Sequence, residues 1–130
     1  MHLTRDQYAA WLGRYVDAWR SDDAEQIGAL FSDDCIYSYR AGDAVVVGRD
    51  AIVQAWLDEE EQGSWEAFYE PLAIDDEVHI AVGTTTYYDE GGLPRDRYSN
   101  IFVCRFETPE RCSEFTEWWM RGAGPVGRLD

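Results

Sequence analysis

The sequence predicts an α+β fold in which helices gather on one face of a curved, mostly antiparallel sheet. Three observations predict it. Apolar residues recur at helical spacing from Tyr8 to Trp19, long runs rich in β-branched and aromatic residues fill the second half from Trp65 to Arg121, and the last two runs close into a hairpin with a readable register.

The first helix is marked by Thr4-Arg-Asp-Gln7, a capping box, followed by Tyr8, Trp11, Leu12, Tyr15, Val16 and Trp19 on one face; it should end near Ser21. Asp22 with Glu25 is expected to cap a second, shorter helix that buries Ile27, Leu30 and Phe31, and Ser32-Asp-Asp34 is expected to be the acidic turn that stops it. Cys35 to Arg40 and Ala44 to Val47 read as a short hairpin around Ala41-Gly-Asp43. Gly48-Arg-Asp50 then opens a third helix with Ile52, Ala55 and Trp56 inward, and the acidic run from Asp58 to Glu61 is its solvated end. After Gly63 come strands Trp65–Ile74, Val78–Tyr88 and Arg95–Phe106, parted by Asp75-Asp-Glu77 and Asp89-Glu-Gly-Gly-Leu-Pro94, and a last strand from Arg111 to Arg121. Residues 1–121 form one expected domain. The Gly- and Pro-rich residues 122–130 form an expected flexible tail.

The closing hairpin yields the sharpest geometry. If Thr108 faces Arg111 across Pro109-Glu110, then Phe106 opposes Ser113, Arg105 opposes Glu114, Cys104 opposes Phe115 and Phe102 opposes Glu117. Alternation then puts Asn100, Phe102, Cys104, Phe106, Phe115, Glu117 and Trp119 on one face. Ile101, Val103, Arg105, Glu114, Thr116, Trp118 and Met120 take the other. Only the first face sets a carboxylate and a carboxamide among aromatic rings. The second is too apolar to be left in water, so Ile101, Val103, Trp118 and Met120 are expected to form a homodimer interface, with the Arg105–Glu114 pair at its rim.

Composition excludes several classes of function. Hydrophobic residues at 45% and aromatics at 15% rule out a disordered chain, and the formal charge of −15 repels nucleic acid and anionic lipid surfaces. No apolar run approaches a membrane span, and Met-His-Leu-Thr-Arg-Asp lacks an export signal, so a cytoplasmic protein is expected. Cys35, Cys104 and Cys112 lack metal-ligand spacing and read as buried free thiols. No phosphate loop, nucleophile–base pair or metal-ligand cluster is visible, so no metal and no cofactor are expected.

Arg14-Tyr-Val-Asp-Ala-Trp19, Ile27-Gly-Ala-Leu-Phe-Ser-Asp-Asp34, Gly48-Arg-Asp-Ala-Ile52, Asn100-Ile-Phe-Val-Cys-Arg-Phe106 and Glu114-Phe-Thr-Glu-Trp-Trp119 together resemble the SnoaL-like branch of the nuclear transport factor 2-like superfamily. The resemblance runs from Leu3 to Arg121. It implies a cone-shaped α+β barrel: three N-terminal helices packed into a bent sheet around a blind apolar pocket, and commonly a homodimer through the outer sheet face. Ketosteroid isomerase, scytalone dehydratase, limonene epoxide hydrolase, polyketide cyclases and non-enzymatic binding modules share it, so fold alone does not choose an activity. Tyr15 falls where the ketosteroid isomerases have their oxyanion-hole tyrosine. Their general-base position, however, falls on Tyr39, and the partner acid on Phe102, or on Asn100 if the register is displaced. Arg95-Asp-Arg97 has the wrong spacing for the epoxide hydrolase pattern. The only histidines, His2 in an end expected to fray and His79 with an outward, surface parity, do not form the dehydratase pair.

Glu117 is therefore the candidate acid/base, because a carboxylate facing aromatic walls loses hydration and becomes harder to ionise. With Tyr15 and Asn100 as hydrogen-bond donors it could move a proton beside a carbonyl, in isomerisation, cyclisation or dehydration. In the alternative reading Glu117 lies at the mouth or pairs with an arginine such as Arg40, Tyr15 merely packs, and the protein is a binding or scaffolding module. Trp19, Tyr37, Tyr39, Trp56, Phe68, Tyr88, Tyr98, Phe102, Phe115 and Trp119 are the expected walls of a pocket for a small aromatic or polyketide-like molecule.

Overall fold

The structure, a computed structural model, describes residues 1–39, 45–59 and 63–122. Three helices, α1 (Arg5–Ser21), α2 (Ala24–Gly28) and α3 (Arg49–Asp58), cover one face of a six-stranded curved sheet. Its strands are β1 (Phe31–Tyr39), β2 (Val45–Val47), β3 (Trp65–Asp75), β4 (Val78–Tyr88), β5 (Pro94–Thr108) and β6 (Arg111–Arg121), in the spatial order β2-β1-β6-β5-β4-β3. Every pairing is antiparallel except that of β1 with β6.

Helix α1 starts as its capping box dictates, with the Thr4 side chain accepting from the Gln7 amide and the Gln7 side chain reaching back to Thr4. It ends at Ser21, as expected, but the cap of the next helix differs from expectation. Asp22 adopts a left-handed conformation (φ 55°) as the C-cap of α1, and Asp23 is the residue that caps α2, accepting from the Gln26 amide at 3.1 Å. A second correction concerns Ser32-Asp-Asp34, which is strand rather than turn. β1 begins at Phe31, whose partner on β6 is Cys112, and an irregularity between Phe31 and Ile36 turns Asp33 and Asp34 outward while Ser32 and Cys35 stay buried. The expected turn Ala41-Gly-Asp43 and the tail beyond Gly122 lie outside the described residues.

The closing hairpin pairs Arg105 with Glu114, Cys104 with Phe115 and Phe102 with Glu117, and Thr108 meets Arg111. Near the turn a bulge replaces the expected Phe106–Ser113 pair by Phe106–Cys112, which lets both of those side chains enter the core. There Trp11 fills the centre, packed edge-on against Phe31 and Phe106, its indole N–H donating to the Leu30 carbonyl at 3.1 Å. Cys35, Cys104 and Cys112 are buried free thiols in the same core.

His79 and His2 correct the sequence reading. His79 does alternate against Val78 and Ile80, but its face is the inner one and it is fully buried. Its Nε2 accepts the Leu3 amide at 2.9 Å, so Nδ1 carries the proton and donates to the Cys104 carbonyl at 3.3 Å. Burial, the largest cause, pushes its pKa down and keeps the ring neutral. His2 does not fray: Nδ1 bonds the Asp76 carbonyl at 2.6 Å, pinning the segment before α1 across the β3–β4 turn. On the opposite sheet face Trp118 is 40% and Met120 73% exposed. Among the described residues no helix is long and apolar enough to cross a membrane.

Candidate functional site

Between the helices and the far end of the sheet lies a cavity of about 420 Å³. Every major element supplies a wall: Tyr15 and Trp19 come from α1, Tyr37 and Tyr39 from β1, Trp56 and the C-cap Glu59 from α3, and Tyr69 from β3. Thr85 and Tyr87 come from β4, Arg95, Asp96, Tyr98 and Asn100 from β5, and Glu117 and Trp119 from β6. Strand alternation does this placing: Tyr37 and Tyr39, Tyr98 and Asn100, and Glu117 and Trp119 are each two residues apart.

Glu117 opposes Phe102 on β5 and Tyr39 on β1, and its side chain lines the cavity. A carboxylate only accepts, so Asn100 must present its Nδ2, which donates to Glu117 Oε2 at 2.8 Å. Asn100 Oδ1 then accepts from Thr85 Oγ1 at 3.0 Å, and Thr85 in turn receives the Tyr69 hydroxyl at 2.7 Å. Thr85 and Asn100 are buried, so these bonds satisfy polar groups that would otherwise be costly. Among the described residues, Glu117 Oε1 has no hydrogen-bond partner. Gly83 makes room for the relay: a Cβ there would lie 2.0 Å from the Phe68 carbonyl oxygen and 2.5 Å from the Tyr69 ring.

Burial is the main reason that the Glu117 pKa rises from its ordinary 4.5 to about 7. The Asn100 N–H opposes that rise and the Glu59 charge adds to it. Glu59 itself is pushed up by partial burial at the mouth. Tyr15 and Tyr37 are driven far above the usual phenol value, first by burial, and the Glu117 charge adds to both shifts. Both therefore stay protonated hydroxyls at any working pH. Tyr87 is raised to about 12, mainly by burial and then by Glu59 and Glu117. At the mouth Asp96 receives Arg95 Nε at 2.9 Å and also bonds Arg121, while Trp19 stacks on Trp65 at 3.8 Å.

Of the residues singled out in the sequence, Glu117, Asn100, Tyr15, Trp19, Tyr37, Tyr39, Trp56, Tyr98 and Trp119 meet in this cavity. Phe102 and Phe115 lie beneath it in the core, where Phe115 stacks on Tyr15 and Tyr37 at 5.6 and 4.9 Å. Phe68 and Tyr88 are corrections. Phe68 is 65% exposed on the outer sheet face because Tyr69 holds the inward parity of β3, and Tyr88, next to the inward Tyr87, bonds Glu66 outside. Thr85 and Tyr87 escaped the sequence reading although they share the parity of His79; once that face is known to be inward, both follow. Glu59, at a helix end, carried no such signal. Among the described residues no group of three His, Cys, Asp or Glu side chains is placed to hold a metal ion.

Three helices over one face of a curved, mostly antiparallel sheet, with a ring-walled cavity between them, define a nuclear transport factor 2-like protein. The chain belongs to the SnoaL-like domain family, whose model matches residues 12–122. Solved structures agree. A provisionally assigned ketosteroid isomerase of Kribbella flavida superposes with a TM-score of 0.70 at 18% identity, covering 97% of this chain and 92% of its own. An epoxide hydrolase of M. tuberculosis, described as limonene-epoxide-hydrolase-like, gives 0.68 at 14% identity, with 89% and 84% covered. A ketosteroid isomerase-like protein of Erwinia carotovora gives 0.60 at 16% identity, with 91% and 98% covered. At such identities the likeness concerns the fold alone. No curated protein matches the sequence.

Proposed function

We propose that the cavity binds a small ring-bearing organic molecule and that Glu117 moves a proton on it, in an isomerisation, cyclisation or dehydration. One observation carries this reading: a carboxylate with one oxygen free of protein partners among the described residues, raised to a pKa of about 7, in the wall of a 420 Å³ cavity. Ionised Glu117 takes a proton from a carbon beside a carbonyl, and the bond pair moves onto the carbonyl oxygen. Tyr37, a neutral hydroxyl that itself receives the Tyr15 hydroxyl, donates to that oxygen as its charge grows. Protonated Glu117 then returns the proton to another atom of the same molecule, which needs no redox partner. Asn100 touches the base and not the substrate; it orients the carboxylate and favours its ionised form.

The test uses an activated carbon acid, 5-nitrobenzisoxazole, as a probe for a base in an aromatic cavity. Its ring opening should accelerate as pH rises through about 7 and should fall by roughly 10²-fold or more in Glu117→Gln. A rate that matches solvent, or one indifferent to the substitution, would leave the protein as a binding module. The exposed Trp118 and Met120, beside half-buried Ile101 and Val103, support a homodimer through the outer sheet face. Sedimentation velocity should give a dimer that Trp118→Asp converts to monomer; a monomeric parent at micromolar concentration would refute it.

A further inference from the structure

The cavity wall has an unusual composition. Nine of its fifteen described residues are aromatic, every one a tyrosine or tryptophan, and none of the fifteen is aliphatic. Ring faces are the negative poles of their quadrupoles and attract cations. Two carboxylates, Glu59 and Glu117, face the same space, and each repels the other's charge, as the rise that Glu59 imposes on Glu117 shows. Among the described residues neither has an ion-pair partner within 4 Å. Among the described residues the one guanidinium of the wall, Arg95, is spoken for at the mouth, bonded to Asp96. Among the described residues the cavity therefore carries net negative charge, with Glu117 among the rings and the exposed Glu59 at the rim.

We infer that the ligand of this cavity is a protonated amine on an aromatic or alkyl body, its ammonium group held between Glu59 and the ring faces and its body reaching toward Glu117. The inference rests on the cavity being the binding site of the proposed function and names the class of molecule that enters it. Charge explains the choice. A carboxylate or phosphate ligand would meet two like charges in a partly desolvated space, and a neutral ligand would leave both without a counter-ion. An ammonium group meets charge of opposite sign and gains the attraction of Tyr37, Trp56 and Tyr87. Glu59, at the end of α3, is then the residue that sets ligand charge, while Glu117 is left for the proton.

Calorimetric titration of the whole chain at pH 8 with three probes of one shape tests this: 2-phenylethylammonium, 2-phenylethanol and phenylacetate. The ammonium should bind about tenfold or more tightly than the alcohol, and phenylacetate more weakly than either. In Glu59→Gln the preference for ammonium over alcohol should shrink to about threefold or less, with the affinity for the alcohol retained. Equal binding of ammonium and alcohol, or tighter binding of phenylacetate, overturns the inference. If that happens while 5-nitrobenzisoxazole is still opened by Glu117, only the charge assignment falls. If no probe binds and no ring opening occurs, the site itself is wrong.

Discussion

Replacing Glu117 by Gln should make the protein's stability depend less steeply on pH, in a direction that the burial of the carboxylate fixes. Gln keeps the shape and a carbonyl-type oxygen for the Asn100 donor but cannot ionise. In the parent the unfolded chain loses the Glu117 proton near pH 4.5, whereas the folded protein keeps it to about pH 7. Over that interval the native state binds more protons than the unfolded one, so the stability contributed by this residue is full below 4.5 and falls until the pH passes 7. A difference between 4.5 and about 7 corresponds to at most roughly 3.5 kcal/mol, reduced by whatever solvent reaches the carboxylate through the mouth. Glu117→Gln should therefore gain up to that amount on its parent between pH 4 and pH 8.5. Urea unfolding of both proteins at the two pH values measures it, because the other titrating groups cancel in the difference. A difference that stays within about 0.5 kcal/mol across the range would refute a desolvated carboxylate and remove the basis for an acid/base role.

Two further perturbations probe the frame around the site. Gly83→Ala would push a methyl group into the Phe68 carbonyl and the Tyr69 ring, a clash that only movement of β3 can relieve; a loss of about 3 kcal/mol or more is expected, and a variant with the parent's urea midpoint would contradict it. His79 acts in the opposite pH sense to Glu117. Its folded pKa lies below the ordinary 6.5, so the stability it lends is present above that value and lost as pH falls, because protonating Nε2 breaks the bond from the Leu3 amide. Amide exchange at Leu3, corrected for its intrinsic pH dependence, should speed up on going from pH 8 to pH 5. Unchanged protection would show that another bond holds the segment.

The parts of the fold legible in the sequence were those dictated by local chemistry. Thr4 and Gln7 name their own cap, and the Pro109-Glu110 turn with the Arg105–Glu114 pair fixes the register that carries Glu117 and Asn100 to one face. What escaped depends on partners distant in sequence. Ser32-Asp-Asp34 looks like a turn in isolation and becomes strand only because β6 lies alongside it. Alternation in β4 separates His79, Thr85 and Tyr87 from their neighbours, but it does not say which set is inside. The outer face of this sheet is itself apolar enough, with Ile80, Ile101 and Val103, to make the wrong choice attractive. Phe68 and Tyr88 look like pocket walls for being aromatic, and both belong to that outer face.

The parallel pairing of β1 with β6 has a consequence for how the site comes into being. From β3 to β6 the strands follow one another as neighbours, so that half of the sheet can zip up from local contacts, whereas β1 must find β6 across some eighty residues of chain, from Phe31 to Cys112. Glu117 lies on that seam, with Phe102 on one side and Tyr39 on the other. From the β3–β6 half comes Asn100, its hydrogen-bond partner. Tyr15, Tyr37 and Trp56 all arrive with the other half. The acidity of this one side chain thus depends on a join between segments far apart in the chain: a change that loosened β1 from β6 would return Glu117 toward ordinary carboxylate behaviour without touching it.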